Sequence, residues 1–507
     1  MDGLKLVYNA CPRDCYDTCA LISTVKNGYV LKVRGNKKHP ITRGALCRKC
    51  VNYENYIYDK NRILYPLKRV GSRGSGEFSR ISWNNAIDII VKKINEIVTK
   101  HSPSSILTYA YAGNMGLLSR FVPFRLVNLL GFSRIAWTVC DMAGSEALNM
   151  VYGSNQGINP DNLPNMKLIV YWGINPKWTN IHGYSLAKLA KRRGAKIYVI
   201  DPVRTETAKS ENHIAPVPGS DTLFALGIAN YLIENELYDY EFVKNYVHGF
   251  DKFKEYVKEF GLDFVSSKTG VPAKVIENFA IDYSKLKPSV IHIGYGLQRR
   301  KNGGDIVRAI SFLPALIGIP RGFIYGNSYF PLDINYLEAR HLAKKQKWYN
   351  MVPLGKVLQE NKIKMMFVFN ANPLATMPNQ NLIRNQIIEK DIFIVVHDIF
   401  KTDTADFADI VLPATTFFEH KDVNVSYYHR YLNINQKAIE PLGEAISNLE
   451  LMRRLGRAMN ITQSEIYEDE DHIIHEIIRR SGLNISISEL YEKGFVGLPE
   501  RRLDIYP

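Results

Sequence analysis

Two stretches of this chain, 197 residues apart, carry the same pattern. Apolar Leu168–Trp172 runs into Gly173-Ile174-Asn175-Pro176. A second apolar run, 197–200, ends at Asp201 and leads to Arg204, Thr205, Glu206, Thr207, Ala208 and Pro216. In the other stretch Met365–Phe369 runs into Asn370-Ala371-Asn372-Pro373. Apolar 394–396 then leads to His397-Asp398, followed by Lys401, Thr402, Asp403, Thr404, Ala405 and Pro413. Where the copies differ they often keep the chemistry, Arg204 against Lys401 and Glu206 against Asp403. Chance likeness between two strand–turn–helix units would explain matching strands. It does not explain Asn-Pro, Asp, Thr, Thr, Ala and Pro at one shared offset. The chain is therefore expected to contain a duplicated nucleotide-handling α/β unit, near residues 165–220 and 362–416. Its polar residues would sit just past the ends of parallel strands, where open α/β sheets bind ligands. Two copies imply two similar ligands, or one ligand with two similar halves.

At 507 residues the chain is too long for one core and suits about three domains of ~150 residues each. Its hydrophobic share of 46% and charged share of 23% are those of a soluble globular protein. No apolar run reaches membrane-spanning length. The start, Met1-Asp2-Gly3-Leu4-Lys5, has neither a signal-like hydrophobic region nor a twin arginine. A cytoplasmic protein with no membrane span of its own is expected. The formal net charge of +15 raises nucleic acid as a partner. The basic residues, however, read as scattered pairs and triplets, such as Lys37-Lys38, Lys191-Arg192-Arg193 and Lys344-Lys345, with no nucleic-acid motif. A solvated surface and polyanionic cofactors account for the excess better, so no nucleic-acid partner is expected.

Five of the six cysteines fall in the first 50 residues: Cys11, Cys15, Cys19, Cys47 and Cys50, with Cys140 apart. In a long chain without a secretion signal this distribution favours metal over disulfides. Three cysteines spaced by three residues, with a fourth 27 residues on, do not fit the paired C-x2-C pattern of zinc sites. They suit a cubane iron–sulfur cluster, whose four thiolates converge from a tight loop and one returning segment. Cys47 is preferred as fourth ligand and Cys50 reads as a buried thiol.

This cysteine block resembles the iron–sulfur domain of the molybdopterin oxidoreductases, the dimethyl-sulfoxide-reductase superfamily. The resemblance implies a multidomain α/β protein: a [4Fe-4S] domain over residues 1–62, then a catalytic region over 63–507 holding the two dinucleotide units. It implies one [4Fe-4S] cluster and a molybdenum (or tungsten) bis(molybdopterin guanine dinucleotide). Lys49 stands where family members place a lysine between cluster and pterin. Cys140 follows the apolar run 134–139 and opens a helical stretch, Ser145 to Val151. A helix N-terminus would lower its pKa and favour the thiolate a metal needs. The family's metal ligand comes from this region, so Cys140 is the first choice and neighbouring Asp141 the second. The family's formate dehydrogenases have His beside that ligand, and Asp141 departs from this.

Gly173, Asn175 and Pro176 resemble the family's dinucleotide-binding turn. Asp201, Arg204 and Thr205 resemble its next loop, and Gly219 with Asp221 the segment after. Asn370, Asn372, Pro373, Asp398, Thr402 and Thr404 stand at the same offset in the second copy, and Asp409, near its end, is a further cofactor-binding candidate. Gly and Asn allow close backbone approach, a carboxylate can accept the paired donors of a guanine edge, and Arg grips phosphate in a fork. The segment 290–299 resembles the core strand and turn that face the cofactor, and Glu419 an acidic residue that follows the second unit. Family members usually continue into a C-terminal barrel that closes over both dinucleotides. Here the sequence stops at Pro507, near where that barrel would begin. A separate subunit, a split or truncated gene product, or incomplete cover are the alternatives. The expected function is two-electron redox chemistry on a small-molecule substrate, with single electrons relayed through the cluster to an electron-transfer subunit. The substrate is open, since the superfamily handles nitrate, polysulfide, arsenate, sulfoxides and formate. The alternative is a non-catalytic iron–sulfur subunit of a respiratory-type complex.

Overall fold

The computed structural model describes residues 3–326 and 332–499. The end of the expected catalytic region, 500–507, lies outside the described residues. The N-terminal cysteines hang on a three-stranded antiparallel sheet, Leu4–Ala10, Ala20–Lys26 and Tyr29–Gly35. The strands Ala20–Lys26 and Tyr29–Gly35 form a hairpin, and Leu4–Ala10 pairs beside it. Asn27 and Gly28 both have positive φ, 51° and 78°, as a tight two-residue hairpin turn requires. Pairing of Ala10 with Ala20 lets the Cys11 N–H donate to the Cys19 carbonyl, 2.9 Å away. Register therefore places the first and third cysteines side by side.

The two repeat copies lie in two different sheets. The first sheet has five parallel strands in the order Asn212–Ile214, Lys196–Ile200, Leu168–Trp172, Ser289–Ile293 and Phe323–Ile324. The second contains Ile410–Pro413, Phe393–Asp398, Met365–Phe369, Ile106–Ala110 and Ser133–Ala136 in the corresponding order. Trp348–Asn350 extends one edge, and the antiparallel pair Leu67–Arg69 and Phe78–Arg80 extends the other. Strand order reverses beside the first strand of each copy, and such switch points create ligand crevices at strand carboxyl ends.

Both central strands are buried on two faces, which explains their unbroken apolar runs. Leu168, Val170 and Trp172 enter one core with the helices Asp221–Glu234 and Gly303–Leu316, while Ile169 and Tyr171 enter another with the helix Ile181–Arg192. Met365, Phe367 and Phe369 alternate with Met366 and Val368 in the same way. This is the two-residue period of a pleated strand.

A last sheet, Asp422–Val425, Tyr431–Asn435 and Phe495–Gly497, meets the N-terminal domain. Asn9 Nδ2 donates to Asn435 Oδ1 across that contact at 3.1 Å. Arg62 grips Glu419 with both guanidinium nitrogens, at 3.0 and 2.9 Å, and both side chains are fully buried. Among the described residues, no helix is long and apolar enough to cross a membrane.

Candidate active site

The duplication extends to individual hydrogen bonds. Asn175 Oδ1 accepts from Thr207 Oγ1 at 2.6 Å and from the Thr207 N–H at 3.3 Å. Asn372 Oδ1 accepts from Thr404 Oγ1 at 2.7 Å and from the Thr404 N–H at 3.1 Å. Each threonine hydroxyl in turn accepts a backbone N–H two residues beyond its asparagine, from Lys177 and Leu374. Thr205 and Thr402 accept from the N–H groups of Ala208 and Ala405. Asp201 and Asp398 each hold the following loop through Oδ1, which accepts the N–H of Val203 or of Ile399. Burial raises both carboxyls, Asp398 to about 6. Gly173 and Asn370 occupy equivalent positions and both take positive φ, 65° and 51°. Neighbouring loops come very close: a Cβ on Gly294 would lie 2.0 Å from the Gly173 carbonyl oxygen, and one on Gly113 would lie 2.6 Å from that of Asn370. Glycine is what permits both approaches.

Each copy opens onto a cavity. The first, about 660 Å³, is lined by Gly173, Asn175, Lys177, Thr179, Tyr295 and Gly296, and by Cys11, Cys15, Cys19, Cys47, Lys49 and Cys50. The second, about 710 Å³, is lined by Gly113, Asn114, Asn370, Asn372, Met377, His397, Asp398 and Asn448. Arg13, Asp14, Cys140 and Arg299 belong to the walls of both. Arg299 reaches the Cys140 sulfur at 3.4 Å and its carbonyl at 3.1 Å, and Tyr427 donates its hydroxyl to Asp14 at 3.2 Å.

The cysteines ring their cavity. Among the described residues, no three His, Cys, Asp or Glu side chains close on one point as a single ion demands. Cys50 is buried, 3.6 Å from the Cys11 sulfur and 3.8 Å from that of Cys47. Its hydrogen bonds lower both neighbours, Cys47 to about 5, while Cys50 itself is driven far upward.

The molybdopterin oxidoreductase pattern matches residues 62–458, and that of the molybdopterin oxidoreductase Fe4S4 domain matches residues 4–59. The chain belongs to the molybdopterin oxidoreductase family. It is 38% identical to "Probable oxidoreductase YoaE" of Bacillus subtilis over 93% of this chain and 71% of that protein. It is 32% identical to "Probable oxidoreductase YyaE" of the same organism, over 98% and 76%. Its fold matches the solved structure of acetylene hydratase from Pelobacter acetylenicus with a TM-score of 0.82, at 24% identity, over 97% of this chain and 74% of that one.

Membership in the molybdopterin oxidoreductases makes this an enzyme of a molybdenum- or tungsten-pterin cofactor with a [4Fe-4S] cluster. The residues present fit these groups. Thiols ring a volume larger than an ion, and paired glycine-lined cradles sit at two switch points. The buried Tyr109 hydroxyl and Arg13 Nε, both in cavity walls, have no protein partner.

Other sequence-expected residues sit elsewhere. Asp221 is buried and accepts the Trp172 indole N–H at 2.9 Å. Gly219, with φ of 96°, borders a separate cavity with Arg300. Arg204 is exposed. Asp409 lies away from both cavities, its carboxylate paired with Arg69 and Arg73. Asp141 lines neither of them and accepts from Ser145 Oγ at 3.2 Å. The expected lowering of the Cys140 thiol is not found. Burial, with Asp14 and Asp141 adding, raises it to about 11, and Arg299 offsets only part. Cys140 precedes Asp141, the N-cap of the helix Met142–Tyr152, and so lies outside the turn where the helix dipole acts.

Sequence reasoning missed Asp14 and Arg13. Their position inside the cysteine block was the available signal.

Proposed function

We propose that the chain is a bis(molybdopterin guanine dinucleotide) oxidoreductase whose two dinucleotides occupy the two equivalent cavities. The carrying observation is that both cavities share the wall that holds Cys140. A group gripped at both ends by the duplicated loops would meet Cys140 at its middle, and this supports Cys140 over Asp141 as the metal's protein ligand. When bound, the pterin-held metal supplies two-electron redox chemistry and the cluster supplies one-electron relay. The chain's own part is to position and insulate. Asn175 and Asn372 lock their loops, Asp201 and Asp398 shape the turns beyond, and Arg299 places positive charge beside the Cys140 sulfur. Asp14 and Arg299 are the charged groups that a small-molecule substrate would meet at the shared wall.

Cys11, Cys15, Cys19 and Cys47 would hold the cluster, with Lys49 in the same cavity wall. The cluster region would extend over 1–62 and the catalytic region from 63 onward. Residues 1–62 contain twelve Lys and Arg against five Asp and Glu, so an electron-transfer partner would present an acidic face.

Metal and nucleotide analysis of the purified protein tests the reading. About one molybdenum or tungsten, four irons and two guanine nucleotides per chain are expected. Iron without guanine nucleotide would overturn it. For the ligand, X-ray absorption should show a sulfur lost from the metal shell in Cys140→Ala and no change in Asp141→Ala. The reverse result reassigns the ligand.

A further inference from the structure

The two repeat copies serve as each other's control. Within the turn after each Asn-Pro, the internal scaffold is the same. Thr179 Oγ1 donates to the Asn175 carbonyl at 3.0 Å, and Thr376 Oγ1 donates to the Asn372 carbonyl at 2.9 Å. The copies part at the next positions. Asn180 and His182 in the first correspond to Met377 and Asn379 in the second. The cavity of the first copy is the one lined by Cys11, Cys15, Cys19 and Cys47, and there both polar residues contact the cysteine loop. Asn180 Nδ2 donates to Asp17 Oδ1 at 2.7 Å. His182 Nε2 lies 3.2 Å from the Cys19 sulfur. His182 is 2% exposed, at the start of the helix Ile181–Arg192.

We propose that His182 is a positioning residue for the iron–sulfur cluster, donating Nε2–H to the Cys19 sulfur and thereby holding the cluster's reduction potential up. This rests on the assignment of Cys19 as a cluster ligand. The chemistry follows from donor and acceptor inventory. An iron-bound thiolate sulfur carries no proton and only accepts, so a ring nitrogen at that distance must donate. The contact therefore places an N–H on Nε2. Hydrogen bonds to cluster sulfurs raise the potential, because the added electron increases negative charge on sulfur and strengthens the bond. In the second copy the corresponding residues, Met377 and Asn379, line up with none of the cysteines of the cluster block. A single turn therefore presents Asn175 to the dinucleotide cavity and His182 to the cluster loop.

The test is an EPR-monitored redox titration of the purified holoprotein. His182→Leu removes the donor. At a fixed potential the ratio of reduced to oxidised cluster should fall about tenfold or more, a midpoint shift of about −59 mV for a one-electron couple. His182→Gln, which keeps an N–H, should fall between Leu and the wild type. A His182→Leu protein with four irons and an unchanged midpoint overturns the proposal. Should the Leu variant fail to assemble a cluster, the wild-type protein gives the answer directly. With 15N-labelled histidine, pulsed EPR of the reduced cluster should show hyperfine coupling to one histidine nitrogen, and its absence overturns the proposal. A wild-type protein with no cluster signal would instead refute the cluster assignment itself, and the proposal with it.

Discussion

The paired asparagines allow a prediction with an internal control. Asn175→Ala removes the acceptor of two hydrogen bonds, from Thr207 Oγ1 and the Thr207 N–H, and Thr207 is fully buried. Each such bond contributes about 1–1.5 kcal/mol net, and a buried donor left unpaired costs at least as much. The loss is then about 2–3 kcal/mol in the free energy that keeps the loops 173–176 and 203–208 closed. At 1.4 kcal/mol per tenfold, local opening rises about 30- to 150-fold. Asn372→Ala should do the same to 370–373 and 400–405, because its partner Thr404 is equally buried. Hydrogen exchange followed by mass spectrometry reads all four segments in one experiment. Faster exchange should be confined to the mutated copy. Acceleration of both copies by one substitution, or of neither, would refute the view that each Asn–Thr pair is an independent latch on its own cavity.

Arg62→Met should strand the Glu419 carboxylate in a fully buried site and cost about 3–5 kcal/mol, seen as a lower thermal midpoint. Adding Glu419→Leu should recover most of the loss. Burial holds His397 neutral down to about 4. The unfolded chain protonates near 6.5, so this term is fully present above 6.5 and is lost as pH falls toward 4, by up to ~3 kcal/mol. His397→Gln should flatten that part of the pH–stability curve measured in denaturant. Cys47→Ala should abolish the four-iron content while Cys50→Ala retains it; the opposite pattern would exchange their roles. These two thiols are close enough in the fold that iron analysis of both variants is required.

The sequence by itself determined the duplication, since a constant offset of 197 residues between matching polar residues does not depend on how the chain folds. It also determined the strands: unbroken apolar runs followed by Gly, Asn and Pro can hardly be anything but buried parallel strands ending in ligand-side turns. The spacing of Cys11, Cys15 and Cys19 pointed to a cluster for a similar local reason. At Asp409 the fold adds what the sequence does not show: Arg69 and Arg73 arrive from a hairpin more than 300 residues away and pair with it. Cys140 is a second case. Its sequence context suggested an easily ionised thiol, and burial beside Asp14 and Asp141 reverses the sign. Only the tertiary structure placed Cys140 in the wall common to both cavities, and His182 against Cys19. The physical reason is the same in each case. Strand period and turn chemistry are properties of neighbours in the chain, whereas burial, charge pairing and shared walls depend on which distant segments the packed sheets bring together.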